Sequence, residues 1–178
     1  MGRMEHVHVV VGSPMGPVVV AAQDVADGAV THVRLPRADG SAADDALGGR
    51  VEPHEHAALA HAARELDEYF AGERRDFTVP LHPAGTAFQR LVWDGLRRIP
   101  YGTTTTYGAL AAALGLDPRT TSRAVGAANG ANPVAVVVPC HRVIGADGTL
   151  TGFAAGIGRK RALLDLEAAV ASGTTVLF

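Results

Sequence analysis

The sequence predicts an α+β fold in two parts: an N-terminal part with a small antiparallel sheet and a helix, and a mainly helical C-terminal part. Three observations support this prediction. Short valine-rich runs alternate with turns near the N-terminus, an alanine-rich amphipathic segment follows them, and helical patterns dominate beyond residue 87. With 178 residues, the chain is long enough for one large domain or two small ones.

The N-terminal sheet is predicted from three β-rich runs separated by turn residues. These runs cover residues 7–11, 18–22 and 30–35. Short strands with tight turns favour an antiparallel meander. Residues 37–51 are rich in Gly, Ala and Asp and lack periodicity, so we expect a loop there, followed by a helix over residues 53–71.

The domain boundary is predicted where the helical pattern of the N-terminal part has ended. Residues 82–86 read His-Pro-Ala-Gly-Thr, which suits a linker. We therefore expect an antiparallel-sheet domain over residues 1–81 and a second domain over residues 87–178.

The C-terminal part contains four predicted helices. They cover residues 87–98, 107–114, 118–129 and 157–171. The first is predicted to bury one apolar face, which contains Phe88, Leu91, Val92 and Leu96. Asp117 is a suitable N-cap, and Pro118 is favoured in a first helical turn. The second and third helices flank a short turn with Gly115, which is the outline of a helix-turn-helix. The apolar run over residues 134–138 is predicted as a strand.

Composition indicates a globular protein from a reducing compartment. Hydrophobic residues make up 47% of the chain and charged residues 19%. One cysteine allows no internal disulfide, and no apolar run approaches the roughly 20 residues of a membrane span. We expect a cytoplasmic protein with no membrane association.

The net charge of −2 conceals an asymmetry. Residues 1–80 hold 7 Arg and 13 acidic residues, whereas residues 81–178 hold 8 Arg, 1 Lys and 5 acidic residues. The basic C-terminal part suits a polyanionic partner. Chance clustering of solvated surface charge explains the asymmetry equally well.

The single cysteine, Cys140, is the first candidate for chemistry. It lies between Pro139 and the pair His141-Arg142. A thiol is a strong nucleophile only as thiolate, and an unperturbed cysteine has a pKa of roughly 8.5. A lone cysteine is more often an inert buried residue. Neighbouring positive charge and an adjacent histidine favour a reactive one.

Other candidates allow more than one interpretation. Arg119 and Arg123 are four residues apart on one predicted helix, with small residues between them, which suits either approach to a narrow DNA groove or tight helix packing. Asn132 is either a purely structural turn residue or a brace for the loop that leads to Cys140. Tyr107 is a core aromatic or a phenol that faces a ligand, and Glu167 is solvent-facing or reaches His141.

The segment Pro-Cys-His-Arg-Val at residues 139–143 resembles the active-site motif of the O6-alkylguanine-DNA alkyltransferases, also called methylated-DNA–protein-cysteine methyltransferases. Further family landmarks occur in family order at residues 13–17, 69–72, 88–93, 99–102, 123–126, 132–134 and 159–164. The resemblance covers nearly the whole chain and is strongest to the bacterial single-function members. It implies a ribonuclease-H-like N-terminal domain.

The resemblance assigns five catalytic residues. Cys140 matches the nucleophile that irreversibly accepts the alkyl group of O6-alkylguanine or O4-alkylthymine, so that each molecule reacts once. His141 matches the group that takes the thiol proton through a water, and Glu167 matches the carboxylate that orients it. Asn132 matches the brace of the active-site loop. Tyr107 matches the phenol that protonates the leaving guanine.

The resemblance also implies double-stranded DNA containing alkylated guanine as the partner. The damaged base is flipped out through the minor groove. Arg123 matches the side chain that fills the vacated place in the stack, and Arg119 lies on the same helix face. Ser122, Ala124 and Gly126 match the small residues that let the helix approach. The protein is expected to be a monomer, with cooperative binding to DNA left open.

Val143, Phe153 and Ala154 match the wall of the substrate pocket. The family commonly has Gly-Tyr-x-Gly-Gly here, whereas residues 152–156 of this chain read Gly-Phe-Ala-Ala-Gly. Phe153 lacks the hydroxyl and Ala155 adds a methyl group, so both affect which alkyl groups fit.

No cofactor and no metal is expected. Some relatives hold zinc through cysteines and histidines, but this chain has no second cysteine. Its histidines at positions 6, 8, 54, 56 and 61 lack a standard ligand spacing.

Three other functions fit parts of the pattern. A non-catalytic binder of alkylated DNA would lack the reactive cysteine. A helix-turn-helix regulator would use Cys140 as a sensor, but it usually carries a regulatory domain. A thiol hydrolase gives the helix that contains Arg123 no role.

Overall fold

The computed structural model describes residues 5–25, 27–44 and 47–175. Two compact units divide between Ala84 and Gly85. The N-terminal unit combines a sheet with one long helix, and the C-terminal unit is mainly helical. The two-part α+β fold predicted from the sequence is confirmed.

The N-terminal sheet contains the predicted meander and one unpredicted strand. Strands β1 (His6–Val11), β2 (Val18–Gln23) and β3 (Val30–Arg34) pair antiparallel in the order β3-β2-β1. Strand β4 (Gly49–Arg50) pairs parallel with β1 at the edge. Two residues show no periodicity, so β4 falls inside the segment predicted as a loop. Gly48 precedes it with φ of +79°, and a Cβ there would lie 1.6 Å from a backbone oxygen of β1.

Helix α1 (Ala57–Phe70) packs its apolar face on this sheet. Leu59, Leu66 and Tyr69 are fully buried, and burying such side chains contributes about 1.5–3 kcal/mol each. The predicted helix started earlier, at residue 53. The structure instead has a short 3-10 turn and an extended His56 before α1 begins.

The C-terminal unit contains helices α2 (Ala87–Leu96), α3 (Tyr107–Ala113), α4 (Pro118–Gly130) and α5 (Ile157–Ala171). A capping box joins Thr86 and Gln89 at the start of α2. The predicted placement of Leu91 on the buried face of α2 is wrong, because Leu91 is 42% exposed. Trp93 is buried instead, and its indole N–H donates to the Ala128 carbonyl at 2.9 Å.

Helices α3 and α4 lie against each other and are joined by a short turn. Gly115 in this turn has φ of +74°, a conformation that favours glycine. The Asp117 carboxylate caps α4 by accepting from the Arg119 backbone N–H at 3.0 Å, and Pro118 occupies the first turn. These local signals fix where α4 begins.

Residues 134–138 do not form the predicted strand. The chain turns back on itself, and the Val138 N–H donates to the Val134 carbonyl at 3.0 Å. Val136 has φ of +71°, which a β-branched residue rarely adopts. Its side chain is 1% exposed. Valine favours strands, but here burial in a tight turn overrides that preference.

A pair of short strands connects the segment after Cys140 to helix α3. Strand β6 (Val143–Ile144) begins three residues after Cys140 and pairs parallel with β5 (Thr105–Thr106), which leads directly into α3. This pairing joins the cysteine segment to the start of α3.

Across the three described stretches, no helix combines the length and the apolar character required to cross a membrane.

Candidate active site

Cys140 opens a single 3-10 turn, Cys140–Arg142, directly after the buried turn of residues 134–138. It is 6% exposed. Burial raises the pKa of the thiol, while a hydrogen bond from Asn132, the positive charge of Lys160 and the backbone N–H groups of Cys140 and His141 act in the opposite direction. Burial is the larger effect, so the thiol of the free protein is protonated at neutral pH.

The Asn132 side chain forms hydrogen bonds with both ends of the turn that leads to Cys140. Its side-chain N–H donates to the Val138 carbonyl at 2.8 Å, and its side-chain oxygen accepts from the Val134 N–H at 3.0 Å. Asn129, at the end of α4, donates to the Cys140 carbonyl at 3.4 Å. The amide groups of these two residues therefore fix the backbone on both sides of the thiol.

A buried carboxylate holds His141. Nε2 of His141 lies 2.7 Å from Oε1 of Glu167, which comes from α5, and both side chains are fully buried. Arg142 donates to the same carboxylate through Nε at 2.8 Å and Nη2 at 2.9 Å. This bidentate contact is the strong geometry for arginine with a carboxylate.

Burial and charge act together on the protonation states of Glu167 and His141. Burial opposes ionisation of Glu167, but its bonds to His141 and Arg142 prevail and lower its pKa to about 2. Burial lowers the pKa of His141, although Glu167 acts in the opposite direction. The imidazole is therefore neutral at pH 7. Nε2 carries the hydrogen that Glu167 accepts, which leaves Nδ1 as an acceptor.

Nδ1 of His141 is buried, and no described residue forms a hydrogen bond with it. Leaving a buried acceptor unpaired costs roughly 1–3 kcal/mol. A neutral nitrogen with a free lone pair, one residue after the thiol, is suited to accept a proton.

The Glu167 cluster also anchors the turn of residues 99–102. The Gly102 N–H donates to Oε2 of Glu167 at 3.2 Å, and Nη1 of Arg142 donates to the Ile99 carbonyl at 2.7 Å. The Arg142 guanidinium lies 5.4 Å from the ring centroid of Tyr101. Arg142 was not predicted as a site residue, although it stands inside the sequence motif.

Lys160 is a second buried cation that the sequence analysis missed. Its side chain is fully buried, and Nζ donates to the carbonyls of Val143 and Thr151. A lysine is almost never fully buried. The helical spacing of residues 160, 163 and 167 was a usable signal, because it places Lys160 on the same buried face as Leu163 and Glu167.

Tyr107, the first residue of α3, contacts both helix α4 and the loop that precedes α5. Its hydroxyl donates to the Thr151 carbonyl at 3.2 Å, the same oxygen that Lys160 binds. A Cβ at Gly126 would lie 3.6 Å from the Tyr107 ring, and one at Gly152 would lie 3.1 Å from its hydroxyl. Tyr107 is half-buried, so it is neither a plain core aromatic nor a free surface residue.

The three predicted wall residues have different surroundings. Val143 is fully buried in β6. Phe153 is half-buried and Ala154 is exposed, both in the loop that Lys160 holds at its start. At the other end of this loop, Arg159 donates to the Ala155 carbonyl at 3.0 Å.

Helix α4 has an exposed face and a half-buried face. Arg123 and Ala124 are exposed. Arg119 has a side chain 89% exposed that pairs with Asp117 at 3.3 Å. Ser122 and Gly126 are half-buried, since the Ser122 hydroxyl donates to the Pro118 carbonyl and Gly126 lies against Tyr107. Arg123 therefore projects from the exposed face, while Gly126 accommodates an aromatic ring.

Comparison with known proteins connects this geometry to a family. Residues 87–169 match the model of the DNA binding domain of 6-O-methylguanine DNA methyltransferase, and residues 8–83 match the model of its ribonuclease-like domain. The chain belongs to this family. All the predicted site residues lie in the part that matches the DNA binding domain of 6-O-methylguanine DNA methyltransferase.

Individual relatives within the 6-O-methylguanine DNA methyltransferase family cover almost the whole chain. A methylated-DNA–protein-cysteine methyltransferase of Methanosarcina acetivorans is 45% identical over 155 residues, which are 87% of this chain and 94% of that protein. One from Mycolicibacterium paratuberculosis is 42% identical over 94% of this chain and 96% of its own length. The Mycobacterium tuberculosis OGT in complex with DNA superposes with a TM-score of 0.74, at 40% identity over 92% and 94% of the two chains.

The structure brings the predicted residues together in two groups. Cys140, His141 and Glu167 are buried close together, and the half-buried Asn132 holds the turn before Cys140. Tyr107 shares the Thr151 carbonyl with Lys160. The predicted DNA-binding side chains of α4, including Arg123, lie outside this group.

Proposed function

We propose that this protein repairs DNA by moving an alkyl group from O6 of guanine to Cys140, once per molecule. The observation that carries the proposal is the arrangement of Cys140 beside a neutral His141 whose Nδ1 is free and whose Nε2 is held by Glu167. Membership of the 6-O-methylguanine DNA methyltransferase family supports the choice of substrate.

The reaction begins with activation of the thiol. His141 Nδ1 takes the thiol proton through one water, and the resulting imidazolium is stabilised by the Glu167 carboxylate. The thiolate sulfur then attacks the alkyl carbon in line. A carbon–sulfur bond forms, the carbon–O6 bond breaks, and its electron pair stays with the base.

The guanine leaves as a neutral molecule when Tyr107 donates a proton to its ring nitrogen. In the free protein this hydroxyl donates to the Thr151 carbonyl, so entry of the base exchanges one acceptor for another. The product is a thioether, and no group of the cluster reverses its formation. Transferase activity is therefore stoichiometric.

Substrate access requires the damaged base to leave the duplex, at a cost of a few kcal/mol. We propose that α4 enters the minor groove and that Arg123 occupies the vacated position in the stack. The exposure of Arg123 and Ala124 supports this role. Arg119 is exposed on the same helix, and the half-buried Ser122 and Gly126 add no bulk that would keep α4 away from the groove.

Val143, Phe153 and Ala154 form the proposed wall around the base. O4-alkylthymine fits the same chemistry, because its alkyl group is also carried by an exocyclic oxygen. The half-buried Phe153 supplies an aromatic surface without a hydroxyl that would need a partner.

We also propose the wider organisation of the protein. Residues 1–81 and 87–178 form its domains and residues 82–86 the linker between them. The protein is proposed to be a cytoplasmic monomer that uses no cofactor, with cooperative binding to DNA to be decided by sedimentation on long duplexes.

Intact mass spectrometry tests the transfer. We expect the protein to gain one methyl group on Cys140 when it is mixed with a duplex containing one O6-methylguanine, and Cys140→Ser to gain none. Binding without a mass gain would indicate a lesion binder. An adduct elsewhere, or many turnovers per molecule, would refute the proposal.

Single-turnover kinetics test the role of Arg123. We expect Arg123→Ala to slow repair in duplex DNA far more than reaction with free O6-benzylguanine, because only the duplex requires base flipping. Arg119→Ala is the matched control on the same helix, and we expect a smaller loss because Arg119 pairs with Asp117. Equal losses on both substrates would exclude the proposed insertion.

A further inference from the structure

We propose that Lys160 is a positioning residue for alkyl transfer, and that its buried ammonium group is the positive charge that balances the Cys140 thiolate. This inference rests on the proposed function, because it concerns how the thiolate forms. It gives a role to the buried cation that neither the His141–Glu167 pair nor helix α4 uses.

The burial of Lys160 calls for a compensating interaction. Its side chain is fully buried, and Nζ donates to the carbonyls of Val143 and Thr151. Burying an ammonium group costs several kcal/mol even after relaxation. Two neutral carbonyl oxygens accept from two of its three N–H groups, but they supply no negative charge.

Charge balance within the C-terminal unit singles out Cys140. The buried charged side chains described in this unit are Arg142, Lys160 and Glu167, with a neutral His141. Arg142 and Glu167 form a bidentate pair and cancel each other. The described hydrogen bonds of Lys160 go to carbonyl oxygens, whereas the buried Glu167 carboxylate pairs with His141 and Arg142. Ionisation of Cys140 supplies the negative charge that Lys160 lacks, while the proton that His141 accepts stays beside Glu167.

Position supports the same assignment. Lys160 binds the carbonyl of Val143, the third residue after Cys140, and its charge interacts with the sulfur. This interaction lowers the pKa of Cys140 and raises the pKa of Lys160, in both cases against the larger effect of burial. An opposite charge at close range shifts a pKa by roughly 1–3 units.

A purely structural role predicts different behaviour. Lys160 also pins β6 to the loop at Thr151, so its loss disturbs the site whether or not charge matters. A geometric defect slows alkyl transfer by the same factor at every pH. Loss of the balancing charge raises the pKa of Cys140, so the rate of alkyl transfer rises only at a higher pH.

The first experiment compares Lys160→Met with Arg161→Met, which removes an exposed cation from the next position of α5. The Cys140 pKa is read by NMR of labelled cysteine, which gives one signal because the chain has one cysteine. We expect Lys160→Met to raise this pKa by about one unit or more, and Arg161→Met to leave it unchanged.

Reaction with free O6-benzylguanine is then followed across pH. We expect Lys160→Met to be about tenfold slower at neutral pH and to approach the wild-type rate at high pH. An unchanged Cys140 pKa with a rate that falls equally at every pH would overturn the proposal and leave only the pinning role.

A second measurement does not require a Lys160 variant to fold. Coupling between two groups is reciprocal. We therefore expect the pKa of the Lys160 ammonium, read by NMR of Nζ, to be lower in Cys140→Ser than in the wild type. Equal values in the two proteins would also overturn the proposal.

These readouts separate the two claims. The pKa measurements need no alkylguanine, so they test the charge balance whether or not methyl transfer occurs. A wild-type protein that gains no methyl group from damaged DNA would refute the proposed function, not the coupling between Lys160 and Cys140.

Discussion

At the scale of single residues, the Glu167 carboxylate holds three groups of the candidate active site. Its two oxygens interact with His141, Arg142 and the Gly102 N–H. One carboxylate thus orients the proposed base, neutralises a buried guanidinium and anchors the turn of residues 99–102. Removal of one partner from a buried ion pair typically costs about 3–5 kcal/mol.

Glu167→Gln tests this contribution through its pH dependence. The pKa of Glu167 is about 2, below the ordinary 4.5, so its ionisation stabilises the folded state above pH 4.5, and this stabilisation is lost as the pH falls towards 2. The shift corresponds to about 3 kcal/mol. We expect Glu167→Gln to be less stable at pH 7 and to lose less stability than the wild type between pH 5 and pH 2.

Urea unfolding monitored by Trp93 provides the measurement, since this single tryptophan is 3% exposed in the same unit. Asp165→Asn, an exposed position on α5, is the matched control. If the free energy of unfolding changed with pH in the same way in the wild type and in Glu167→Gln, the proposed contribution of ionised Glu167 to stability would be wrong.

Two glycines beside Tyr107 give a second test at this scale. Gly126 lies in α4 with room for a Cβ at ordinary contact distance, whereas Gly152 has φ of +65° and a Cβ would lie 3.1 Å from the Tyr107 hydroxyl. We expect Gly126→Ala to stabilise the fold by about 0.5–1 kcal/mol. Gly152→Ala should destabilise it by about 1 kcal/mol or more. Thermal unfolding of both variants tests this, and the reverse order would contradict it.

At the scale of elements, the turn of residues 134–138 positions Cys140, the proposed nucleophile. Val136 sits in a left-handed conformation that costs about 1–3 kcal/mol. The clasp by Asn132 and burial of the valines hold it there. The turn is therefore stable only within the folded unit.

Substitution at Val136 distinguishes backbone strain from side-chain packing. In an ordinary buried turn, glycine is the more destabilising substitution, because it loses both side chain and backbone order. At φ of +71° the order should invert, so we expect Val136→Gly to be less destabilised than Val136→Ala by about 1 kcal/mol. Chemical denaturation of both variants provides the measurement, and a more stable Val136→Ala would disprove the strain.

At the scale of the whole molecule, charge is divided between the two parts of the chain. Residues 81–178 carry a net charge of +4 and residues 1–80 one of −6, so the overall value of −2 says little about affinity for DNA. Binding to a polyanion depends on the local positive surface and releases counterions.

We therefore expect the affinity for undamaged duplex DNA to fall steeply and linearly with salt on logarithmic axes. Arg123→Ala should weaken binding, while Arg64→Ala, which alters an exposed cation of α1, should leave both affinity and slope unchanged. Fluorescence anisotropy between low and moderate salt measures this. An affinity independent of salt would contradict the electrostatic account.

Much of the fold could be predicted because its signals are local. The alternation of β1 to β3, the amphipathic pattern of α1 and the cap that starts α4 at Asp117 each act within a few residues. Asp117 succeeded as a prediction because its carboxylate meets a backbone N–H two residues away. The prediction that Leu91 is buried was wrong, because helical spacing alone does not show which side of α2 faces the core.

The sequence by itself determined the order of strands β1 to β3 and of helices α1 to α5, together with the family resemblance. It also identified the candidate nucleophile, since a Pro-Cys-His-Arg motif is contiguous. Only the tertiary structure decided that Glu167 reaches His141, that Lys160 is buried, and that residues 134–138 turn instead of extending. The physical reason is distance along the chain, because Glu167 comes 26 positions after His141. Burial and charge compensation between such distant residues arise only when α5 packs against the 3-10 turn of residues 140–142.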